Sequence, residues 1–343
     1  MATLPKVQVF RKKNPVKSKP GLASKIALIG AFEQDLSDPV LCIGLDDAHE
    51  KLGTDKTYDG ISCLNYLFYG ASSILAVNTT TKTGTGDNIT VDKSLTPDKL
   101  TTALSKISGE DFDMLYVAYR VDNNIIPIIT TFLDKKFQDK FPAGYACYSD
   151  FDARLAGDFC YGLIKQRLTV NDTLLSEVDS GAYYCGILAS LNVGNSMTMK
   201  VVPEVTAISP ELSFETGQNG ANLLEDSYTL FKCLDRGNNK YVVVNSELPN
   251  GYDLYINRTR DFVVKEMSLH QFLGDKNRKA SLNEIKQELD RVKDRCVNTL
   301  DLLEDIEYTV EKKSPSCVDI NITRLLFSGI ITEINVYITI EVE

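Results

Sequence analysis

The chain predicts an α/β core followed by an α+β C-terminal domain, with an extended strand arm at each end. Three observations carry that prediction. Between Lys25 and Val205 short apolar strands alternate with amphipathic helices; after Pro203 the order changes to a hairpin, helices and closing strands; and both termini hold period-2 patterns. The boundaries fall at residues 1–24 for a basic N-terminal arm, 25–205 for the α/β core, 206–325 for the α+β domain and 326–343 for a C-terminal strand arm.

In chain order, Lys25–Gly30 is a short apolar strand ending in glycine. Asp59–Phe68 sets Ile61, Leu64, Leu67 and Phe68 on one helical face, and Ser73–Val77 follows as a strand. Thr96 is the expected N-cap of the next helix, with Pro97 at its first position, a Leu100, Ala103, Leu104, Ile107 stripe and Gly109 beyond its end; Met114–Ala118 then reads as a buried strand. A helix is expected over Asn124–Asp139, a strand over Gly144–Tyr148, and helices near Ala153–Gln166 and Gly181–Leu191. Past Pro203 the pattern predicts a short helix at Gly220–Asp226 and a hairpin of Tyr228–Leu234 with Tyr241–Ser246. A helix over Tyr252–Leu273 comes next. Ser281-Leu282-Asn283-Glu284 has the form of a capping box, opening an amphipathic helix through Leu282, Ile285, Leu289, Val292, Cys296, Leu300 and Leu303. Glu304–Val310 and Val318–Thr323 are antiparallel strands.

The two ends are the least ordinary part. In the last strand, Ile334, Val336, Ile338, Ile340 and Val342 alternate with Glu333, Asn335, Tyr337, Thr339 and Glu341. Burying each aliphatic is worth about 1.5–3 kcal/mol, so that face represents on the order of 10 kcal/mol that a free terminus would forfeit. Near the start, Val7, Val9 and Phe10 form a shorter run of the same kind, and Arg11, Lys12 and Lys13 open a polar, proline-broken leash. Two readings are open: both ends complete the molecule's own sheet, or they pair with other copies. Residues 1–25 hold seven Lys or Arg and no acidic residue, which leaves −17 on the other 318 residues of a chain of net charge −10. A basic leash is attracted to an acidic body, its own or a neighbour's. About 20 extended residues reach roughly 66 Å, against a radius of gyration near 20 Å for a body of this size. The arm is long enough to reach another subunit.

Composition excludes several function classes. A pI near 4.9 and the absence of Trp argue against nucleic-acid recognition by the body. Eight cysteines without CxxC spacing, and no signal peptide in Met1–Lys25, suggest reduced thiols in a cytosolic product. His49 and His270 are the only histidines, too few for a zinc site or a histidine-based triad, and no apolar stretch approaches the roughly 20 residues of a membrane span. The Gly/Thr-rich run Asn78–Asp87 lacks the Gly-Lys-Ser/Thr order and following helix of a phosphate loop, so a surface hairpin or loop is expected. The pairs Asp46/Asp47 and Asp111/Asp113 lack the spacing of a calcium loop and read as solvated helix starts and loops, as do Arg278 and Lys279. No catalytic, cofactor-binding or metal-ligating residue is assigned; the functional residues expected are those of the two arms.

Along most of its length the chain resembles contractile tail sheath proteins of tailed bacteriophages and phage-tail-like particles. The resemblance rests on Ala27–Phe32, the Leu45–Gly53 segment before the helix ending Tyr66-Leu67-Phe68-Tyr69-Gly70, and the acidic lead-in Glu110-Asp111-Phe112-Asp113. In the C-terminal third it rests on Gly220-Ala221-Asn222, the hairpin, Arg258-Thr259-Arg260-Asp261 as a helix start, Phe272-Leu273-Gly274 before Asn277, and the closing strands. The resemblance implies a subtilisin-like α/β core without catalysis, few peripheral insertions, and arms exchanged between subunits to weave a helical sleeve. That sleeve would surround an inner tail tube, join baseplate and tail terminator proteins, and by contracting drive the tube through a cell envelope. It implies assembly in a host bacterial cytoplasm and a place in a virion tail or tail-like particle, with no cofactor, no direct nucleic-acid contact and no membrane insertion. A ring-forming tail or baseplate adaptor is the alternative.

Overall fold

A six-stranded, mostly parallel sheet organises the first two thirds of the computed structural model, which describes residues 24–84, 90–269, 279–314 and 317–328. The order is β1 (Ser24–Gly30), β2 (Val40–Cys42), α1 (Leu45–Leu52), α2 (Asp59–Leu67), β3 (Ala71–Asn78), β4 (Thr81–Thr83), β5 (Thr90–Asp92) and α3 (Pro97–Lys106). Then come β6 (Met114–Val117), α4 (Ile126–Gln138), β7 (Gly144–Tyr148), β8 (Cys160–Ile164), β9 (Arg167–Val170), β10 (Thr173–Leu174), α5 (Glu177–Ser190) and β11 (Val205–Ser209). The rest is α6 (Asn219–Glu225), β12 (Phe231–Asp235), β13 (Lys240–Val243), α7 (Leu254–Met267), α8 (Lys279–Asp294), β14 (Asp305–Ser314) and β15 (Cys317–Leu326).

The main sheet runs β2-β3-β1-β6-β7-β8, with β2 as an antiparallel edge. Alternation along β1 divides the core. Ile26 and Leu28 join α1, α2 and α5 on one face, while Ala27 and Ile29 join α3 and α4 on the other. Helix α3 starts where its sequence says it should, with Thr96 Oγ1 accepting from the Lys99 amide at 3.2 Å and Pro97 at the first position. From the Gly/Thr-rich run β4 pairs antiparallel with β5, Thr81 opposite Asp92, at the surface. Helix α5 is buried nearly all round and crosses α2 so closely that a Cβ on Gly186 would stand 2.0 Å from the Tyr66 carbonyl oxygen.

Four local expectations need correction. Ala153–Gln166 is not a helix: after a single 3-10 turn at Ala153–Leu155, Gly157 takes φ +68° and the chain enters β8. A short apolar run buried on both faces has no periodicity that distinguishes strand from helix. Gly162 gives the tertiary reason, since a Cβ there would meet the Tyr184 ring at 2.4 Å. Second, α8 is already helical at Lys279, so Ser281 lies inside it and does not cap it. Third, Arg258–Asp261 sit in the second turn of α7, whose N-cap is Asp253, accepting from the Tyr255 amide at 3.0 Å. Fourth, α8 passes into a π turn at Arg295–Thr299, and Leu302 and Leu303 lie beyond the helix. The helix expected near Gly181 starts earlier, at a Ser176 cap that accepts from the Asp179 amide at 2.9 Å.

Residues on both sides of position 205 share a small antiparallel sheet, β10-β9-β11, in which Ile208 faces Leu168. Buried Gln166 ties the same region: its Nε2 donates to the Pro210 carbonyl at 2.8 Å and its Oε1 accepts from the Phe231 amide at 2.7 Å. A third hydrophobic cluster holds the C-terminal elements together, with Val263 and Met267 of α7, Ile285, Leu289 and Val292 of α8, and Ile306 of β14.

Candidate assembly surface

Strands β14 and β15 form a ten-residue antiparallel ladder from Asp305 opposite Leu326 to Ser314 opposite Cys317. Tyr308, Val310, Val318, Ile320 and Ile322 lean on the cluster under α7 and α8, which anchors one face of the hairpin. Among the described residues the two strands pair only with each other. Each edge borders a groove. Beside β14, Lys286, Asp290 and Lys293 of α8 face Ile306–Glu311 across about 560 Å³. Beside β15, Phe137 and Lys140 with Val264 and Met267 face Val318–Ile322 across about 470 Å³. An added strand would set alternate side chains into such a groove while its backbone completes the ladder.

The expected arm residues Val7, Val9, Phe10, Arg11, Lys12, Lys13, Ile334, Val336, Ile338, Ile340 and Val342 lie outside the described residues, as do His270 and Arg278. The chain comes into view at Ser24, the first residue of β1, and is last described at Ser328, whose carbonyl accepts from the Tyr255 hydroxyl.

The acidic pairs do structural work that their spacing does not announce. Asp47 accepts from the Ile43 amide at 2.7 Å and pairs with Lys51 at 2.8 Å, which closes the first turn of α1 and holds its carboxyl below its usual range. Asp111 and Asp113 are more than solvated loop residues: Lys265 of α7 bonds both, at 2.6 and 2.9 Å. Asp113 also accepts from the backbone N–H of Lys25 at 2.9 Å, tying the start of β1 to the carboxylate that Lys265 of α7 holds. Sequence alone places Lys265 on a helix but not opposite residues 150 positions away.

In open α/β sheets ligands lie beyond the strand C-termini where the strand order reverses, here between β1 and β6. That crevice is filled. Gly60 packs so that a Cβ would sit 2.5 Å from the Ala31 carbonyl oxygen, and the Tyr119 hydroxyl bonds Thr79 Oγ1 at 2.7 Å and donates to the Lys93 carbonyl at 2.8 Å. Among the described residues no cluster of three His, Cys, Asp or Glu is placed to hold a metal, and no helix is long and apolar enough to cross a membrane.

The arrangement is shared with known structures. A sheath tail protein from Desulfitobacterium hafniense superposes with a TM-score of 0.69 at 12% identity, over 94% of this chain and 99% of that one. The chain has the fold of tail sheath proteins. A chain of the anti-feeding prophage baseplate matches this sheath fold with a TM-score of 0.69 at 12% identity, over the full length of both chains. A chain of the anti-feeding prophage helical sheath in its contracted state matches with 0.66 at 12% identity, over 99% and 100%. No protein-family model and no curated protein sequence matches the chain. The resemblance read from the order of its segments is thus carried by three-dimensional arrangement, at an identity that sequence comparison does not resolve.

Proposed function

We propose that this protein is a structural tail sheath subunit that polymerises into a helical sleeve around an inner tail tube and, by contracting, drives the tube through a target cell envelope. One observation supports the reading above the others: nearly the whole chain superposes on a subunit of a contracted helical sheath, with no large segment left over for another task. The role is structural rather than enzymatic. In this reading the α/β layers of residues 25–205 are a subtilisin-like core without catalysis, residues 206–325 the second domain, and residues 1–24 and 326–343 arms exchanged between subunits.

The β14–β15 hairpin is the proposed acceptor, because among the described residues its strands pair only with each other and two grooves border them, which suits two terminal segments of strand pattern. Strand addition gives directional main-chain bonds, and flexible leashes let rigid bodies reorient while the mesh holds. The inner tube, the baseplate and the tail terminator would be its partners, with assembly in the host cytoplasm and residence in a virion tail or tail-like particle. Deleting residues 1–20 should leave a folded body by circular dichroism and abolish long tubes in electron micrographs; tubes of normal length from that variant would refute exchanged arms. The superposition on a baseplate chain favours one second reading, a ring-forming tail or baseplate adaptor. Closed rings in negative-stain micrographs of the full-length protein would select it over extended cylinders.

A further inference from the structure

The main sheet ends at β2, which among the described residues pairs only with β3. Which of its backbone groups face outward follows from the ladder. The Thr79 amide donates to the Gly30 carbonyl at 3.0 Å, so by strand alternation Val77 and Leu75 also turn their N–H and C=O toward β1, while Ala76 and Ile74 turn theirs toward β2. Leu41 stands opposite Leu75, in a non-hydrogen-bonded pair, and therefore directs its own N–H and C=O away from β3. Alternation gives Pro39 and Ile43, which flank the strand, the same outward phase. Each of the three positions is closed by a different means. Pro39 has no N–H to offer. The Leu41 carbonyl accepts from Lys51 Nζ at 2.9 Å, and the Ile43 amide donates to Asp47 Oδ2 at 2.7 Å. Lys51 and Asp47 stand one turn apart on α1 and pair with each other at 2.8 Å. The side chains at this edge are apolar and exposed, Leu41 by 43% and Ile43 by 70%.

We propose that Pro39, Lys51 and Asp47 form a guard that closes this edge of the main sheet to a second copy of the chain. An edge strand with exposed aliphatics is a template for pairing, and proline and charged side chains on the edge are what prevents it. A second β2 laid antiparallel would extend the sheet across a two-fold axis and cover Leu41 and Ile43. To do so it must displace the Lys51 ammonium and the Asp47 carboxylate from the backbone groups they occupy. Stability does not account for the arrangement. An exposed i, i+4 ion pair contributes little, and Asp47 closes the first turn of α1 without needing Lys51 on the Leu41 carbonyl. The guard rests on β2 and α1 alone, and it stands whether or not the protein forms a sleeve.

The test is sedimentation velocity of dispersed full-length protein carrying Asp47→Ala together with Lys51→Ala, with circular dichroism as the check on folding. A doubling of the sedimenting mass relative to wild type, rising with concentration and abolished when Ile43→Lys is added to the same variant, is expected. Sedimentation identical to wild type overturns the guard. Association that survives Ile43→Lys overturns it too, because such association arises at another surface. Should the double variant not fold, Lys51→Met keeps Asp47 on the Ile43 amide and opens only the Leu41 carbonyl. It should show the same concentration-dependent dimer at higher protein concentration, and a folded Lys51→Met protein that sediments as wild type does overturns the proposal.

Discussion

Tyr161 on β8 donates its hydroxyl hydrogen to Oδ2 of Asp261 on α7 at 2.7 Å, joining two residues one hundred positions apart. The bond is buried, Arg260 holds the other carboxylate oxygen at 2.8 Å, and the pair locks the helix of the C-terminal third onto the edge strand of the sheet. A polar cavity opens beside it.

Burial raises the Asp261 carboxyl to about 6, against the pull of Arg260 and the Tyr161 hydrogen bond. Between the ordinary carboxylate range and about 6 the folded protein therefore holds a proton that the unfolded chain has released. That contribution is full below the ordinary value and is lost as pH rises through 6. Asp261→Asn should remove on the order of 2–3 kcal/mol of this falling pH dependence. Urea denaturation at pH 4.5 and pH 7 checks it: an unchanged difference between the two pH values in the variant would contradict the assignment.

Gln166→Leu should destabilise by about 1–3 kcal/mol, because it leaves the buried Phe231 amide without its partner. Both Gln166 bonds run from the link between β8 and β9 to the segment after position 205. Hydrogen exchange at the Phe231 amide should accelerate along with the loss of stability, and slow exchange there in the variant would refute the bridge.

Gly186→Ala meets backbone, not a flexible side chain, at the crossing of α5 and α2. The helices must separate, so a loss of about 3 kcal/mol or more is expected in the denaturation midpoint. A variant within 1 kcal/mol of wild type, by the same ~1–3 kcal/mol scale for overpacking, would show that the two helices are free to part.

Val336→Lys combined with Ile338→Lys should prevent tube formation while leaving the melting temperature of dispersed protein unchanged. The substitutions place two charges on the apolar side of the period-2 pattern at the C-terminus, which the proposed partner groove would have to desolvate. Tubes in micrographs of this variant would sink strand exchange at the C-terminus; a large drop in melting temperature would point instead to a strand folded on its own body.

The elements legible in the sequence are those whose signals are local. Thr96 and Pro97 start a helix by chemistry confined to one turn, the Asp235–Lys240 turn region closes its hairpin, and the apolar stretches at β1, β3, β6 and β7 read directly as strands. The segment around Cys160–Ile164 was not legible, because a run buried on both sides carries no period. The grooves beside the β14–β15 hairpin were not legible, since they form only once α7 and α8 pack against it.

By itself the sequence determined the alternation of helices and strands in the first two thirds and the opposite charges of residues 1–25 and the remainder, all properties of neighbouring residues and of composition. Tertiary structure alone decided that Asp111 and Asp113 meet Lys265, that Tyr161 meets Asp261, and that Arg258 is buried with its Nη2 on the Leu191 carbonyl. Those contacts depend on the path that brings α7 back against the first strand of the sheet, and no local spacing encodes a distance of that kind.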